Sequence, residues 1–147
     1  MSTTNLDEKI LNILIENSRL SCRQIAKQLK VSVATVASRI KKLENEKIIR
    51  KYTALLDYER LGYDVTVLIS MRISKGKLFE IEKKIATQPN VLAVYDHTGP
   101  FDATVLARFK SRLLMDKFLK KLQSFDFVER TETMLILNTF KEGTIKV

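Results

Sequence analysis

Residues 19–51 read RLSCRQIAKQLKVSVATVASRIKKLENEKIIRK, and this stretch decides how the first half of the chain folds. Ser21 and Gln24 have the spacing of a capping box, which predicts the start of a short helix. Ser32 is predicted to cap a longer helix that ends at Asn45. Apolar residues recur at helical spacing in both segments, as Ile25, Ala26 and Leu29 in the first and Val36, Ile40 and Leu43 in the second.

The segments on either side of this stretch complete a helix-turn-helix with a wing. Asn5 and Glu8 also have capping-box spacing, and they predict a first helix that ends near Asn17. After the third helix, apolar and basic residues alternate and predict a strand with a basic edge, formed by Ile48, Ile49, Arg50, Lys51 and Tyr52. We interpret this strand as a wing beside the third helix.

The positive charge of the chain is concentrated in the same stretch. The formal net charge is +9, from 26 Lys and Arg against 17 Asp and Glu. Residues 19–51 contain ten basic and two acidic residues, so they carry +8 and the remaining 114 residues carry only +1. Most runs of charge are simply a solvated helix surface. This run coincides with the predicted helix-turn-helix, and it therefore favours binding to a polyanion.

The third helix has the composition of a helix that enters the major groove of double-stranded DNA. Short side chains at its start allow a close approach to base edges, and basic side chains further along reach phosphates. We expect base-edge contacts from Thr35, Ser38 and then Arg39. The rest of the predicted DNA surface comprises Ser32 at the start of the helix and the phosphate-binding residues Lys41, Lys42, Arg50 and Lys51.

The second half of the chain changes from helical to alternating periodicity. Residues 65–73 alternate as a strand, and a helix with Leu78, Ile81 and Ile85 on one face follows. Further along come strands at 91–96 and 103–109, a helix capped by Ser111, and a last strand at 131–140. The order β-α-β-β-α-β predicts a ferredoxin-like four-stranded antiparallel sheet with both helices on one face, so the whole chain is α+β.

The face of the sheet without helices is predicted to be apolar. Its apolar residues are expected to include Leu68, Leu92, Val94, Leu106 and members of the 134–137 run. An exposed apolar face marks an interaction surface. We infer that two chains pack sheet against sheet in a symmetric homodimer.

Several classes of protein are excluded by composition. Cys22 and His97 are the single Cys and the single His, so neither a disulfide framework nor a zinc site can be built. Four glycines form neither a P-loop nor a dinucleotide fingerprint, so we expect no cofactor and no enzyme. No run is long enough to span a membrane, and no signal peptide opens the chain. We expect a cytoplasmic protein.

The first half resembles the winged helix-turn-helix of the Lrp/AsnC (feast/famine) transcriptional regulators. The resemblance is carried by the ordered stretches NLDEKIL (5–11), NSR (17–19), QIAK (24–27), VS (31–32), TV (35–36), RIKKLE (39–44) and II (48–49). The chain departs from the family at Lys47, where a Gly usually precedes the paired Ile, and at Lys30 or Val31, where a Gly is also frequent.

The second half resembles the RAM (regulation of amino-acid metabolism) domain of the same family. The run Thr98-Gly99-Pro100-Phe101-Asp102 is similar to the family's Gly-x-x-Asp loop, and residues 130–133 are similar to its Thr-containing lead into the last strand. The resemblance implies dimers that assemble into octamers or similar rings. It also implies a small ligand, usually an amino acid, held between dimers.

The predicted loop at residues 98–102 has groups suited to a zwitterion. Asp102 can pair with an ammonium group, the backbone N–H groups near Gly99 can bind a carboxylate, and Thr131 and Thr133 can add hydroxyls. The alternative is an ordinary hairpin in which Gly and Asp serve turn geometry. The residues alone favour the hairpin, and the resemblance favours the effector site.

The sequence therefore predicts three segments and leaves three functions to compare. The segments are a DNA-binding domain at 1–52, a linker at 53–62, and an effector-binding and oligomerisation domain at 63–147. The first hypothesis is a sequence-specific transcriptional regulator that responds to a small ligand. The alternatives are an architectural protein that wraps DNA without a ligand and a metabolic enzyme or metabolite carrier built on the second half.

Overall fold

The computed structural model describes residues 3–147, so residues 1 and 2 of the predicted first domain lie outside the described residues. The chain divides into two compact units. The first runs to Leu55 and includes the tail Lys141–Val147, and the second is Leu56–Phe140. Within residues 3–147, no helix is long and apolar enough to cross a membrane.

The first unit contains three helices, as the sequence predicts. They are α1 (Asn5–Glu16), α2 (Cys22–Leu29) and α3 (Val33–Asn45). Each helix contributes to one small core, because the apolar positions at helical spacing all point inward; the buried residues of this core are Ile10, Ile25, Ala26 and Val36. The tail joins this unit through the Asn12 side chain, which bonds both the N–H and the carbonyl oxygen of Val147.

The predicted starts of α2 and α3 are confirmed, and the predicted start of α1 is corrected. Ser21 forms the predicted capping box with Gln24, and Ser32 caps α3. The box of α1 is formed by Thr4 and Asp7, one residue before the predicted Asn5 and Glu8. The Asp7 carboxylate is buried, where it accepts from the Thr4 N–H at 3.0 Å and from the Thr4 hydroxyl at 2.8 Å. The earlier box therefore forms because it also satisfies a buried acid.

Two of the helices end on a lysine in the left-handed conformation. Lys30 has φ 55° at the end of α2, and Lys47 has φ 56° just after α3. At the second site the Lys47 N–H donates to the Glu44 carbonyl and the Ile48 N–H donates to the Leu43 carbonyl. These two bonds form a Schellman motif, in which the left-handed position is usually glycine. The two lysines thus stand where a glycine would adopt the same backbone more easily.

The predicted wing strand at residues 48–52 is wrong for this chain. The N–H groups of Ile48 and Ile49 both donate to the Leu43 carbonyl, at 2.9 and 3.1 Å, and so they close the end of α3. Residues 50–52 have no regular secondary structure. Alternation of apolar and basic residues does not make a strand when part of its backbone already has partners and no neighbouring strand is present in the described chain.

The second unit is the predicted β-α-β-β-α-β fold. Its elements are β1 (Val65–Ile73), α4 (Leu78–Lys84), β2 (Val91–Asp96), β3 (Ala103–Phe109), α5 (Arg112–Gln123) and β4 (Val128–Leu135). The sheet has the order β2-β3-β1-β4 with antiparallel pairs throughout. The last strand is shifted from the predicted 131–140, because β4 begins to pair at Val128, opposite Ile73, and its pairing ends at Leu135, opposite Val67. The Ile136 N–H then donates to the Thr66 carbonyl, next to the end of β1.

The core of the second unit lies between the helices and one face of the sheet. Alternate residues of β1 and β3 point to this face, and they pack against Ile81 of α4, Ile85 directly after it, and Phe118 and Leu122 of α5. Two residues that the sequence places on the open face belong on this side. Val94 pairs with the buried Val105, and Leu92, which lies at the bulge, lines a cavity together with Leu78 and Ile81 of α4. The bulge between Val91 and Ala93 makes this register unreadable from alternation alone.

Candidate functional site

The predicted DNA-binding residues lie along α3 and the segment that follows it. Arg39 is half-buried, as is Thr35, and the other six are exposed: Ser32, Ser38, Lys41, Lys42, Arg50 and Lys51. The exposed lysines of α3 follow its short side chains, which is the order expected for a helix that approaches bases first and phosphates further along. Charge and exposure therefore agree on this surface.

The hydroxyls at the start of α3 are committed to the helix itself. The Ser32 Oγ accepts from the Thr35 N–H at 3.0 Å and lies 2.7 Å from the Thr35 Oγ1. This pair caps α3 and fixes the rotamers of both side chains. Ser38, one turn later, is exposed. Of the two predicted base-edge hydroxyls, Thr35 belongs to the cap and Ser38 lies outside it.

Arg39 links the third helix to the first. Its Nη1 lies 3.5 Å from the Oδ1 of Asp7, and the Asp7 side chain is only 1% exposed. The N–H of Thr4 lowers the pKa of Asp7 most, burial acts in the opposite direction, and the Thr4 hydroxyl and the charges of Arg39 and Lys42 lower it further. Asp7 therefore stays ionised and holds the guanidinium in place. Asp7 is not among the residues predicted from sequence, although T-x-x-D spacing in a first turn is a signal for it.

Tyr52 holds the basic segment after α3 against that helix. Its hydroxyl donates to the Glu44 carboxylate at 2.8 Å. Partial burial of the ring and the bond to the negative Glu44 raise the pKa of Tyr52 to about 12, so the hydroxyl remains a donor at neutral pH. Arg50 and Lys51, which precede it, are therefore kept near α3 without the predicted strand.

Lys42 pairs with Glu46 one turn along α3, at 3.9 Å. Both side chains reach solvent, and an exposed pair of this kind contributes only about 0–1 kcal/mol. A phosphate oxygen can replace the carboxylate at little cost. The ion pair with Glu46 therefore does not prevent Lys42 from binding a phosphate.

The loop between β2 and β3 brings together part of the predicted effector site. A cavity of about 350 Å³ is lined by Leu78, Asp96, His97, Thr98 and Asp102. Gly99 has φ 127°, a backbone conformation that side chains disfavour. Asp96 and His97, which the prediction leaves out, therefore stand beside Thr98 and Asp102.

The Asp102 carboxylate already has a structural partner. Its Oδ2 accepts from the Ile73 N–H at 2.7 Å, and the Asp102 N–H donates to the Met71 carbonyl at 2.9 Å. The register of β1 with β4 shifts between Arg72 and Ile73. The Ile73 N–H at this irregularity therefore has the Asp102 carboxylate as its acceptor. Asp102 thus fixes the loop to the sheet through its Oδ2.

The other predicted effector side chains have different partners, although Pro100 and Phe101 belong to the same loop. Phe101 stacks near the Arg130 guanidinium, and the Pro100 carbonyl accepts from Arg72. Thr131 accepts from the Gln123 side chain of α5 at 3.1 Å, and Thr133 pairs with Ile69 in β4. The described residues lining the loop cavity include neither threonine. One chain therefore does not bring the two threonines to the loop.

The open face of the sheet mixes apolar and polar groups. Leu68, Leu106 and Met134 lie on it as predicted, and Ala93 and Tyr95 take the places predicted for Leu92 and Val94. The Thr104 hydroxyl lies 2.7 Å from the His97 Nε2 and 3.2 Å from the Ser70 Oγ. At the far end of β3, Arg108 lies 4.7 Å from the ring centre of Tyr58.

Comparison with known proteins agrees with this arrangement in both units. Residues 4–50 match the family model described as winged helix-turn-helix DNA-binding, and residues 66–145 match that of the Lrp/AsnC ligand binding domain. An uncharacterized HTH-type transcriptional regulator of Pyrococcus furiosus is 47% identical over 97% of this chain and 96% of its own length. The HTH-type transcriptional regulator FL11 of Pyrococcus horikoshii is 35% identical over 95% and 92%.

Solved structures give the same result. E. coli AsnC superposes with a TM-score of 0.91 at 28% identity and covers 100% of both chains. A transcriptional regulator of Neisseria meningitidis in complex with L-Met superposes with a TM-score of 0.86 at 28% identity, covering 97% of this chain and 95% of its own. The chain carries a helix-turn-helix unit and a ligand-binding unit in the same order. It therefore belongs to the Lrp/AsnC family of transcriptional regulators.

Proposed function

We propose that this regulator binds specific DNA sequences as a homodimer, and that an amino acid changes its DNA binding or its assembly. The observation that carries the proposal is the exposed basic surface of α3 and residues 50–51, which lies in the stretch 19–51 that carries +8 while the remaining 114 residues carry +1. The proposed activity is binding in the cytoplasm, and no residue is assigned a catalytic role.

Ser38 and the lysines of α3 have separate roles in this proposal. Ser38 reads base edges from the first turns of α3, while Lys41, Lys42, Arg50 and Lys51 hold phosphates. Arg39 is positioned by the buried Asp7, so its guanidinium approaches DNA from a fixed direction. Fixed side chains lose less conformational entropy on binding. The ion pair therefore lowers the cost of ordering Arg39 on DNA, and the fixed direction restricts which bases the guanidinium can reach.

The loop of residues 98–102 is the proposed effector site. Asp96 and the free oxygen of Asp102 supply negative charge for an ammonium group, and N–H groups around Gly99 suit a carboxylate. The L-Met complex of the Neisseria relative supports an amino acid as the ligand class. Thr131 and Thr133 belong to this site only if a neighbouring subunit supplies them. The octamer, a ring of dimers, that the family resemblance implies would provide such a subunit.

The dimer is proposed to form through the open face of the sheet. Tyr95 is 58% exposed there and Met134 44%, and both present apolar surface to the open face. Leu68 and Leu106 lie between them on neighbouring strands. A symmetric partner would bury this surface. Two α3 helices in one dimer would then face a pseudo-palindromic site.

The salt dependence of DNA binding tests the basic surface. Lys42→Ala or Lys51→Ala should weaken binding to all sequences and flatten the slope of log affinity against log salt by about 0.9 for each phosphate that is no longer neutralised. Lys117→Ala, an exposed lysine of α5 in the second unit, is the matched control with the same change of charge and should leave the slope unchanged. Wild-type slopes for both test variants would remove these residues from the interface.

A further inference from the structure

A larger cavity lies beside the proposed effector loop, between α4 and β2. Its volume is about 670 Å³, within the range of roughly 300–1,000 Å³ that small-molecule sites occupy. Its walls include Leu78, Phe79, Ile81, Leu92 and Val94. The cavity lies within the second unit and shares Leu78 and Asp96 with the smaller cavity of the loop. The two cavities are therefore neighbouring parts of one cleft.

The mouth of this cleft exposes more apolar surface than the fold requires. Phe79 is 76% exposed, Leu78 43% and Leu92 41%, although all three are large apolar side chains. Their neighbours Ile81 and Val94 continue the apolar wall inward toward the core. Apolar side chains that meet around a concave surface favour an apolar ligand over water.

One end of the cleft carries a negative charge. Of the lining residues that the structure describes, Asp96 is the one with an ionisable side chain in the larger cavity, and its side chain is exposed. Asp102 has one oxygen bonded to the Ile73 N–H, so Asp96 is the less committed carboxylate. The His97 ring is held by the Thr98 carbonyl at 3.1 Å and by Thr104. The cleft thus offers a cation site at one end and an apolar wall at the other.

We infer that the effector is an amino acid with a bulky aliphatic or aromatic side chain, whose ammonium pairs with Asp96 and whose side chain fills the cavity beside Leu78, Phe79 and Leu92. This inference rests on the proposed function, because it names the ligand class of the same site. A lysine or glutamate side chain would be placed against this apolar wall with no described counter-charge left for it. That loss of hydration disfavours charged ligands.

Calorimetric titration of the full chain with single amino acids tests the inference. L-Leucine, L-methionine and L-phenylalanine should bind at least about tenfold tighter than L-lysine, L-glutamate and glycine. Leu92→Lys should weaken binding of the apolar three by about tenfold or more, because it places a charge against the ligand side chain. Leu113→Lys, on α5 and 63% exposed, is the matched control and should bind them as the wild type does.

The outcomes of this titration separate the inference from the proposed function. Tighter binding of the charged amino acids, or unchanged binding by Leu92→Lys, would overturn the apolar ligand class while leaving an amino-acid effector in place. Absence of binding by every amino acid would overturn the inference together with the effector part of the proposed function. A change in sedimentation of Leu92→Lys, with no amino acid bound by the wild type, would assign the cavity to a contact with a second copy and also overturn the inference.

Discussion

Replacing Lys47 by glycine should stabilise the first unit, although the substitution removes a side chain and adds no new contact. Lys47 follows α3 with φ 56° and is exposed, so its side chain packs against nothing that the substitution would remove. The left-handed conformation costs an L-residue roughly 1–2 kcal/mol. Glycine loses about 0.5–1 kcal/mol more backbone entropy on folding. The difference predicts that Lys47→Gly raises the free energy of unfolding by about 0.5–1 kcal/mol.

A matched control separates backbone strain from the loss of charge. Lys9 is also exposed, but it lies inside α1, where the backbone is right-handed. Lys9→Gly removes the same positive charge and should lower the free energy of unfolding by about 1 kcal/mol. The same chemical change is therefore expected to have opposite signs at the two positions.

Two measurements should agree on this result. Urea unfolding followed by circular dichroism gives the change in the free energy of unfolding, and hydrogen exchange of the amides of α1 to α3 reports on the first unit alone. Exchange is needed because the two units need not unfold together. If Lys47→Gly destabilised the first unit as Lys9→Gly does, the Schellman explanation of this helix end would be refuted.

Three further predictions concern the buried acid, base reading and the dimer. Because the pKa of Asp7 is lowered in the folded state, the contribution of Asp7 to stability is present above about pH 4 and is lost as the pH falls through the lowered pKa. Asp7→Asn should therefore flatten the change in the urea-derived free energy of unfolding between about pH 2 and 6. An unaltered pH profile would contradict this. Ser38→Ala should change which bases are preferred in a binding-site selection, and a uniform loss of affinity would argue against base reading. Leu106→Asp should weaken dimerisation roughly a hundredfold or more in sedimentation, with Leu113→Asp as the control, and an unshifted dimer would exclude the open face.

The sequence predicts the helices and strands of this chain well, because their signals are local. The Ser21 and Ser32 caps need only residues three positions away, and both form as expected. The alternation along residues 65–73 fixes which side of β1 is buried, and Val67, Ile69 and Met71 are all fully buried. Where periodicity is long and regular, the face of an element follows from it.

The errors come from contacts that the sequence pattern does not determine uniquely. Thr4 rather than Asn5 caps α1, and the buried Asp7 of that cap is paired with Arg39, 32 residues away. Alternation places Val94 on the wrong face because a bulge in β2 shifts the register with β3. The predicted strand at residues 48–52 does not form in the described chain, because Ile48 and its neighbour donate to the end of α3. The Arg39 partner and the bulge cannot be read from local spacing, whereas the cap of α1 and the end of α3 use local partners that compete with the predicted ones.

The proposed effector site also combines features that local spacing predicts with contacts that it does not predict. The loop at residues 98–102 is a local motif and forms one wall of a cavity, together with Asp96. The alternative of a plain hairpin also has support, since Asp102 bonds the Ile73 N–H and so serves the turn. Both roles are compatible, because one carboxylate oxygen has that bond and the other remains for a ligand.

Selection of bound sequences from a random pool of double-stranded DNA, with and without a mixture of amino acids, tests the central claim most directly. We predict enrichment of a pseudo-palindromic sequence, with half-sites about one helical turn or a multiple of it apart, and a changed yield or pattern when amino acids are present. Random DNA bound as tightly as any selected sequence, with no effect of amino acids, would contradict this claim and favour an architectural protein that wraps DNA.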